Sequence, residues 1–257
     1  MGRLKNQVAL VTGGSRGIGA ATAQIFAAEG ARVVITHRDS ADEATAVVEA
    51  LSGDGHRVIQ ASAVDSDALG RAAASVAETE GRLDVLVNNA GGAPPAESAK
   101  ASSGFNEKIV ALNLMAPMNF CQAVHPIMST QDGGGVIVNI SSVSGTRPNP
   151  QGMAYGAAKA GLENMTRTLA HEWGPAIRVV ALTVGMIVTD EAAAFYGDVD
   201  SQAAVAANLP AGRLGQPADV ADMCLALASP LARWVTGTCL EVHGGGEGPA
   251  YLGVAGV

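Results

Sequence analysis

The sequence predicts an α/β protein, a doubly wound and about seven-stranded parallel sheet with helices on both faces. Three observations carry that expectation. Short β-branched runs alternate with longer, alanine-rich amphipathic stretches from the first residues onward. The β-branched runs are apolar almost throughout, as suits strands covered on both faces. No Pro/Ser-rich linker, charge block or repeat divides the 257 residues, so one domain over residues 1–257 is the simplest organisation.

Residues 8–11 read as the first buried strand and residues 17–29 as the first helix, stopped at Gly30. Residues 32–36 follow as strand, 41–51 as helix, 58–61 as strand, 67–80 as helix and 85–87 as strand. The second half continues with a helix at about 105–128, a strand at 136–140, a helix at 154–173, a strand at 177–182, a helix at 217–227 and a strand at 240–242. Between the last two helices, residues 189–214 mix polar, alanine and glycine residues without a period. A connection that long in a compact fold reads as a lid over a binding site. A tail at about 246–257 ends the sequence.

Composition excludes several classes. With 16 basic and 24 acidic side chains the formal charge is −8, so neither nucleic acid nor an anionic membrane is an expected partner. The apolar stretch at 179–188 is about half what a spanning helix needs, and the first residues lack a signal-peptide core, so a cytoplasmic protein is expected. Cys121, Cys224 and Cys239 form neither a CxxC pair nor an even framework; inert core thiols and no metal site are expected. Glycine is the outlier, at 32 residues without a G-X-Y period.

Between the first strand and first helix stands Thr12-Gly13-Gly14-Ser15-Arg16-Gly17-Ile18-Gly19. Glycines there let the chain turn sharply and bring backbone N–H groups and the positive helix end to a pyrophosphate. The position after a strand and before a helix makes Gly13, Ser15, Arg16, Gly17, Ile18 and Gly19 candidate dinucleotide contacts. Asn88-Asn89-Ala90-Gly91 then follows the fourth strand, and Tyr155-x3-Lys159 lies at the start of a later helix. In this order the motifs resemble those of the short-chain dehydrogenase/reductase family, from about residue 4 to 246.

The resemblance implies a Rossmann-like fold and hydride transfer to or from a nicotinamide dinucleotide. It places Asn89, Ala90 and Gly91 at the cofactor, with Asn89 against the adenosine ribose, and leaves Asn88 to tie neighbouring strands. It makes Tyr155 the acid/base and Lys159 its tuner and a ribose ligand. Residues four apart share a helix face, and an unperturbed phenol has a pKa of about 10. Lowering it toward neutrality takes roughly 4 kcal/mol, which neighbouring cations can supply. The resemblance also makes Ser142, rather than Ser141, the partner of the substrate oxygen, and has the Asn113 carbonyl hold a water leading protons to the lysine.

Cofactor choice turns on the end of the second strand, where a carboxylate would repel a 2′-phosphate. The sequence there reads Thr36-His37-Arg38, without an acid, and Arg16 can approach from the other side. Two guanidiniums suit a phosphate, so NADP is expected; NAD is the alternative, with Arg38 solvated and Arg16 over the adenine. Against the family pattern, Ser62, followed by Ala63, stands where an Asp commonly meets the adenine, with Asp65 available to a shifted loop. Val184-Gly185 replaces Pro-Gly. Gly185, Ile187 and Thr189 remain candidates for meeting the carboxamide. His243 replaces an Asp, where a turn or subunit contact is expected.

Residues 189–214 carry Phe195, Tyr196 and Leu209 but few cations, which favours a largely apolar small molecule bearing a carbonyl or secondary alcohol. A 3-oxoacyl thioester is the first expectation and a steroid or other bulky alcohol the second. A noncatalytic NADP-binding subunit is the alternative from another class, and the intact Ser142, Tyr155 and Lys159 stand against it. Relatives pair the helix at 154–173 across subunits, so a homo-oligomer, tetramer or dimer, is expected, with the tail at 249–257 extending the interface. The cluster Gly244-Gly245-Gly246, with Gly248, Gly253 and Gly256, has no assigned role.

Overall fold

The strands form where the β-branched runs lie: Val8–Thr12 (β1), Arg32–His37 (β2), Arg57–Gln60 (β3), Val85–Asn88 (β4), Gly135–Ser142 (β5), Ile177–Val184 (β6) and Cys239–Val242 (β7). The helices are Gly17–Ala28 (α1), Ala41–Glu49 (α2), Ser66–Glu80 (α3), Ser103–Val110 (α4), Ala116–Met128 (α5), Met153–Trp173 (α6), Val199–Ala207 (α7) and Pro217–Ala228 (α8). The computed structural model describes residues 2–190 and 195–249. Every strand pair is parallel, in the order β3-β2-β1-β4-β5-β6-β7. The order reverses between β1 and β4, which opens a crevice at the carboxyl ends of those strands.

Two apolar layers hold the sheet. Ala9 and Val11 of β1 pack with Ala23 and Phe26 of α1 and Val220 and Cys224 of α8. Val8 and Leu10, pointing the other way, pack with Leu69 of α3, Phe120 of α5 and Leu162 of α6. β1 and β4 are therefore buried at every position, which is why they read as unbroken apolar runs. A fully buried side chain such as Phe26 or Leu162 contributes about 1.5–3 kcal/mol.

The expected helix at 105–128 is two helices, α4 and α5, joined by a π-helical turn over Ala111–Met115. Pro117 lacks the N–H that would meet the carbonyl of Asn113, four residues earlier, so the turn falls where the regular ladder is broken. Within the segment at 189–214, Val199–Ala207 form a helix that the composition does not suggest. Asp198 caps α7 by accepting from the Ser201 N–H at 2.9 Å. Residues 191–194 of that segment and 250–257 of the tail lie outside the described residues.

The start of the tail explains the glycine cluster. Gly244, Gly245 and Gly246 have φ of 66°, 96° and 73°, and this left-handed run turns the chain back onto the end of α7. The Gly244 carbonyl accepts from Ala211 N at 2.9 Å, and Gly248 N donates to the Asn208 carbonyl at 3.1 Å. Among the described residues no helix is long and apolar enough to cross a membrane, and no three His, Cys, Asp or Glu converge as metal ligands. Cys121 and Cys224 are buried thiols pushed up to about 12 by desolvation; Cys239 is pushed to about 11, chiefly for the same reason.

Candidate active site

The glycine loop is shaped by close backbone approach. A Cβ on Gly19 would fall 2.3 Å from the Gly13 carbonyl oxygen, and one on Gly13 would fall 3.1 Å from Ala90 Cα. Gly13 and Gly17 also take positive φ. Helix α1 starts at Gly17 after an extended Arg16, and no side-chain oxygen caps its first turn. Its N–H groups therefore face the crevice at the carboxyl ends of β1 and β4. Ser15 and Ile18 lie on the same turn, and Thr189 approaches it: its methyl would sit 3.6 Å from a Cβ on Gly17.

Asn89 stands against the glycine loop. Its amide nitrogen donates to the carbonyls of Thr12 at 2.9 Å and Gly13 at 3.1 Å, so it braces the glycine loop. Thr12 completes the brace, its hydroxyl accepting from the N–H groups of Asn89 and Ala90, both at 2.9 Å. Asn88 does tie strands together, donating to Asn139 Oδ1 at 2.9 Å across the β4/β5 pair.

At the end of β2, His37 is buried, and its Nδ1 has no hydrogen-bond partner among the described residues. Arg38 is exposed but ion-pairs with Asp39, an acid one residue beyond the triplet taken as free of carboxylates. Asp65 stands at the start of α3. It caps α3, accepting from Ala68 N at 2.9 Å. Ser62 and Ala63 precede it, and Ala63 lines a cleft with Thr12, Leu69, Asn88 and Ala90.

At the end of β5, the Ser142 hydroxyl lies near the Tyr155 phenol and accepts from Ser144 N at 3.2 Å. Lys159 is buried, with its Nζ 5.6 Å from the Tyr155 ring centroid and donating to the Ile140 carbonyl at 2.7 Å. Desolvation holds this ammonium down to about 8. Tyr155 departs from expectation: burial pushes its phenol up, the Ser142 contact offsets part of this, and nearby Tyr196 adds to the rise. Protein groups alone therefore do not lower the phenol, because its burial outweighs the Ser142 contact.

Asn113, wholly buried in the π turn, clasps the Gly91–Gly92 backbone. Its Oδ1 accepts from Gly92 N, and its Nδ2 donates to the Gly92 and Ile109 carbonyls, all at 2.9 Å. A Cβ on Gly91 would lie 2.8 Å from that Oδ1 and 3.3 Å from Lys159 Nζ, so glycine lets the two approach. Gly185 is glycine for another reason. A Cβ there would lie 2.5 Å from that of His243, whose Nε2 meets Glu241 at 3.0 Å. Ile187 bridges to Gly215, which fixes the start of the 189–214 segment.

Comparison with known proteins follows this geometry. A family model described as enoyl-(acyl carrier protein) reductase matches residues 13–247. A 7alpha-hydroxysteroid dehydrogenase of Bacteroides fragilis is 36% identical over 251 residues, covering 95% of this chain and 96% of the relative. A 3-oxoacyl-[acyl-carrier-protein] reductase of Staphylococcus epidermidis is 35% identical over 243 residues, covering 93% and 98%. The chain belongs to the short-chain dehydrogenase/reductase family. A solved short chain dehydrogenase from Burkholderia cenocepacia, in complex with NADP, superposes with a TM-score of 0.87 at 37% identity, covering 95% of this chain and 98% of that one.

As a short-chain dehydrogenase/reductase the protein is an oxidoreductase of CH–OH and C=O groups, which sets aside the noncatalytic alternative. Four residues of its site were not singled out for it by the sequence. Thr12 had its place in the glycine motif as a signal, and Pro117 could have located the π turn. Glu163, buried on α6 one turn beyond Lys159, gave none, and neither did Arg147. Arg147 follows Ser142 by five residues and ion-pairs with Glu247 of the tail, near Tyr196.

Proposed function

We propose that this oxidoreductase transfers hydride between NADP(H) and the carbonyl or secondary alcohol of a largely apolar small molecule, with a 3-oxoacyl thioester as the first substrate class. The observation that carries the reading is the juxtaposition of Ser142, Tyr155 and the buried Lys159, on the crevice that the glycine loop borders. The loop fits a dinucleotide: Gly13 and Gly19 leave space that a Cβ would fill, and the α1 N-terminus is open to a pyrophosphate. At the end of β2, the Arg38 guanidinium and the unpartnered Nδ1 of His37 are polar groups that a 2′-phosphate could use, which supports NADP over NAD.

When bound, the dinucleotide supplies or accepts the hydride. In reduction, Tyr155 gives its phenolic proton to the carbonyl oxygen, and Ser142 donates to the same oxygen as charge develops on it. Lys159, held to about 8, stays largely cationic at pH 7 yet can exchange its proton near neutrality. The Asn113 carbonyl, denied a donor by Pro117, is the acceptor for a water feeding that lysine. Oxidation runs the same steps in reverse.

The substrate reading rests on the cleft beside Tyr155, lined mostly by apolar residues such as Pro94, Phe105, Ile109 and Met153, with Ser98, Asn106 and Gln151 as its polar ones. Such walls favour an acyl chain over a sugar phosphate. A steroid is the second reading, supported by the same lining. The enzyme is also proposed to act as a dimer or tetramer through α6. To test substrate and cofactor together, kcat/KM is measured for a 3-oxoacyl thioester, a hydroxysteroid and simple ketones with each dinucleotide. The thioester with NADPH should lead by at least about tenfold; a clear NADH preference would overturn the cofactor, and a leading steroid the substrate.

A further inference from the structure

We propose that Glu163 is a positioning residue for the reaction, its buried carboxylate fastening the tips of β5 and β6 to α6 and so fixing Ser142 opposite Tyr155. The inference rests on the reading of Ser142 and Tyr155 as the reacting pair. Tyr155, Lys159 and Glu163 follow at four-residue intervals and share one face of α6. Glu163 is 4% exposed, and Oε1 accepts from two hydroxyls, Ser141 at 3.0 Å and Thr183 at 2.7 Å. Ser141 and Thr183 stand directly opposite in the β5/β6 register, so one oxygen gathers both strand ends. Its other oxygen lies 3.6 Å from the half-exposed Arg167.

Packing alone does not call for an acid here. A buried carboxylate is costly unless every lone pair finds a donor, and a leucine would fill similar space without that cost. The two hydroxyl bonds supply direction where it matters. Lower on β5, Asn139 already joins the strand to α6 through Thr166 at 2.9 Å. At the tip, Ser141 makes the corresponding join: its hydroxyl reaches Glu163 and, at 3.4 Å, the Lys159 carbonyl. The next residue is Ser142, and the residues after Thr183 are Val184 and Gly185. Glu163 therefore sets the height and orientation of the Ser142 hydroxyl relative to the phenol.

The test is a double-mutant cycle on the full-length enzyme with Ser142→Ala, because residues acting as one unit lose activity non-additively. Glu163→Leu should lower kcat about 30-fold in the wild-type background and less than about threefold in Ser142→Ala, with the dinucleotide KM nearly unchanged. Glu163→Gln keeps an oxygen for both hydroxyls and should retain at least about a third of kcat. Equal losses from Glu163→Leu in both backgrounds, or wild-type kcat in that variant, would overturn the proposal. If Glu163→Leu does not fold, Ser141→Ala is put through the same cycle, and equal losses in the two backgrounds again overturn it. Full activity in Ser142→Ala alone would instead defeat the catalytic reading beneath it.

Discussion

Lys159 is charged in a place that resists charge, and that gives the site a measurable pH signature. Its proton leaves the folded protein near pH 8 but stays on the unfolded chain to about 10.5. The unfolded state thus binds more protons between those values, and stability rises with pH across that window. Below pH 8 the penalty is present in full, about 3 kcal/mol for a difference of that size. Lys159→Met removes it and also loses the bond to the Ile140 carbonyl, worth about 1 kcal/mol. Denaturant unfolding should find the variant about 2 kcal/mol more stable at pH 7 and no more stable at pH 10. An equal difference at both pH values would contradict the assignment. Tyr155, Lys159 and Ser142 could be singled out together from sequence because their motifs resemble those of the family, and the fold brings the three close. The brace made by Asn89 could not be read there: its partners stand 76 and 77 positions away, and only the folded crevice brings them within reach. The rise in the Tyr155 phenol was also hidden, since desolvation depends on what covers it.

At the scale of elements, the strand–glycine loop–helix unit depends on backbone approach more than on any side chain. Gly19→Ala would drive a methyl to 2.3 Å from a carbonyl oxygen and 2.6 Å from the Asn89 amide. Neither neighbour can yield without breaking the brace around Thr12 and Asn89. The substitution should abolish measurable NADPH binding by calorimetry and lower the unfolding temperature; wild-type affinity would mean that this loop is not the dinucleotide cradle. The central strands were legible because burial on both faces forces continuous apolar runs, and the strand ends fell within two residues of expectation throughout. The α4–α5 rod was legible as helix but not as two helices. Its break depends on Pro117 denying a donor to Asn113, a signal present in the sequence but obscured by the apolar periodicity running through it. Helix α7 was missed because it buries no residue and so carries no core-facing pattern.

For the whole molecule, the sheet order places the glycine loop, the Ser142 tip and the start of α6 around one crevice. The Gly244–Gly246 turn bonds the tail to the end of α7, and the Arg147–Glu247 pair joins it to the loop after Ser142. That role for the glycine cluster was invisible in sequence, because left-handed turns gain meaning only from what they dock against. Light scattering should return the mass of two or four chains, and a monomeric mass would end the proposal of self-association through α6. The central claim is that Tyr155 is the proton donor of an NADPH-dependent carbonyl reduction. Its most direct test is single-turnover reduction of a 3-oxoacyl thioester by Tyr155→Phe beside the wild type, with NADPH affinity measured on both. The rate should fall at least about 100-fold while affinity stays within about threefold. A rate within a few-fold of wild type would contradict the claim.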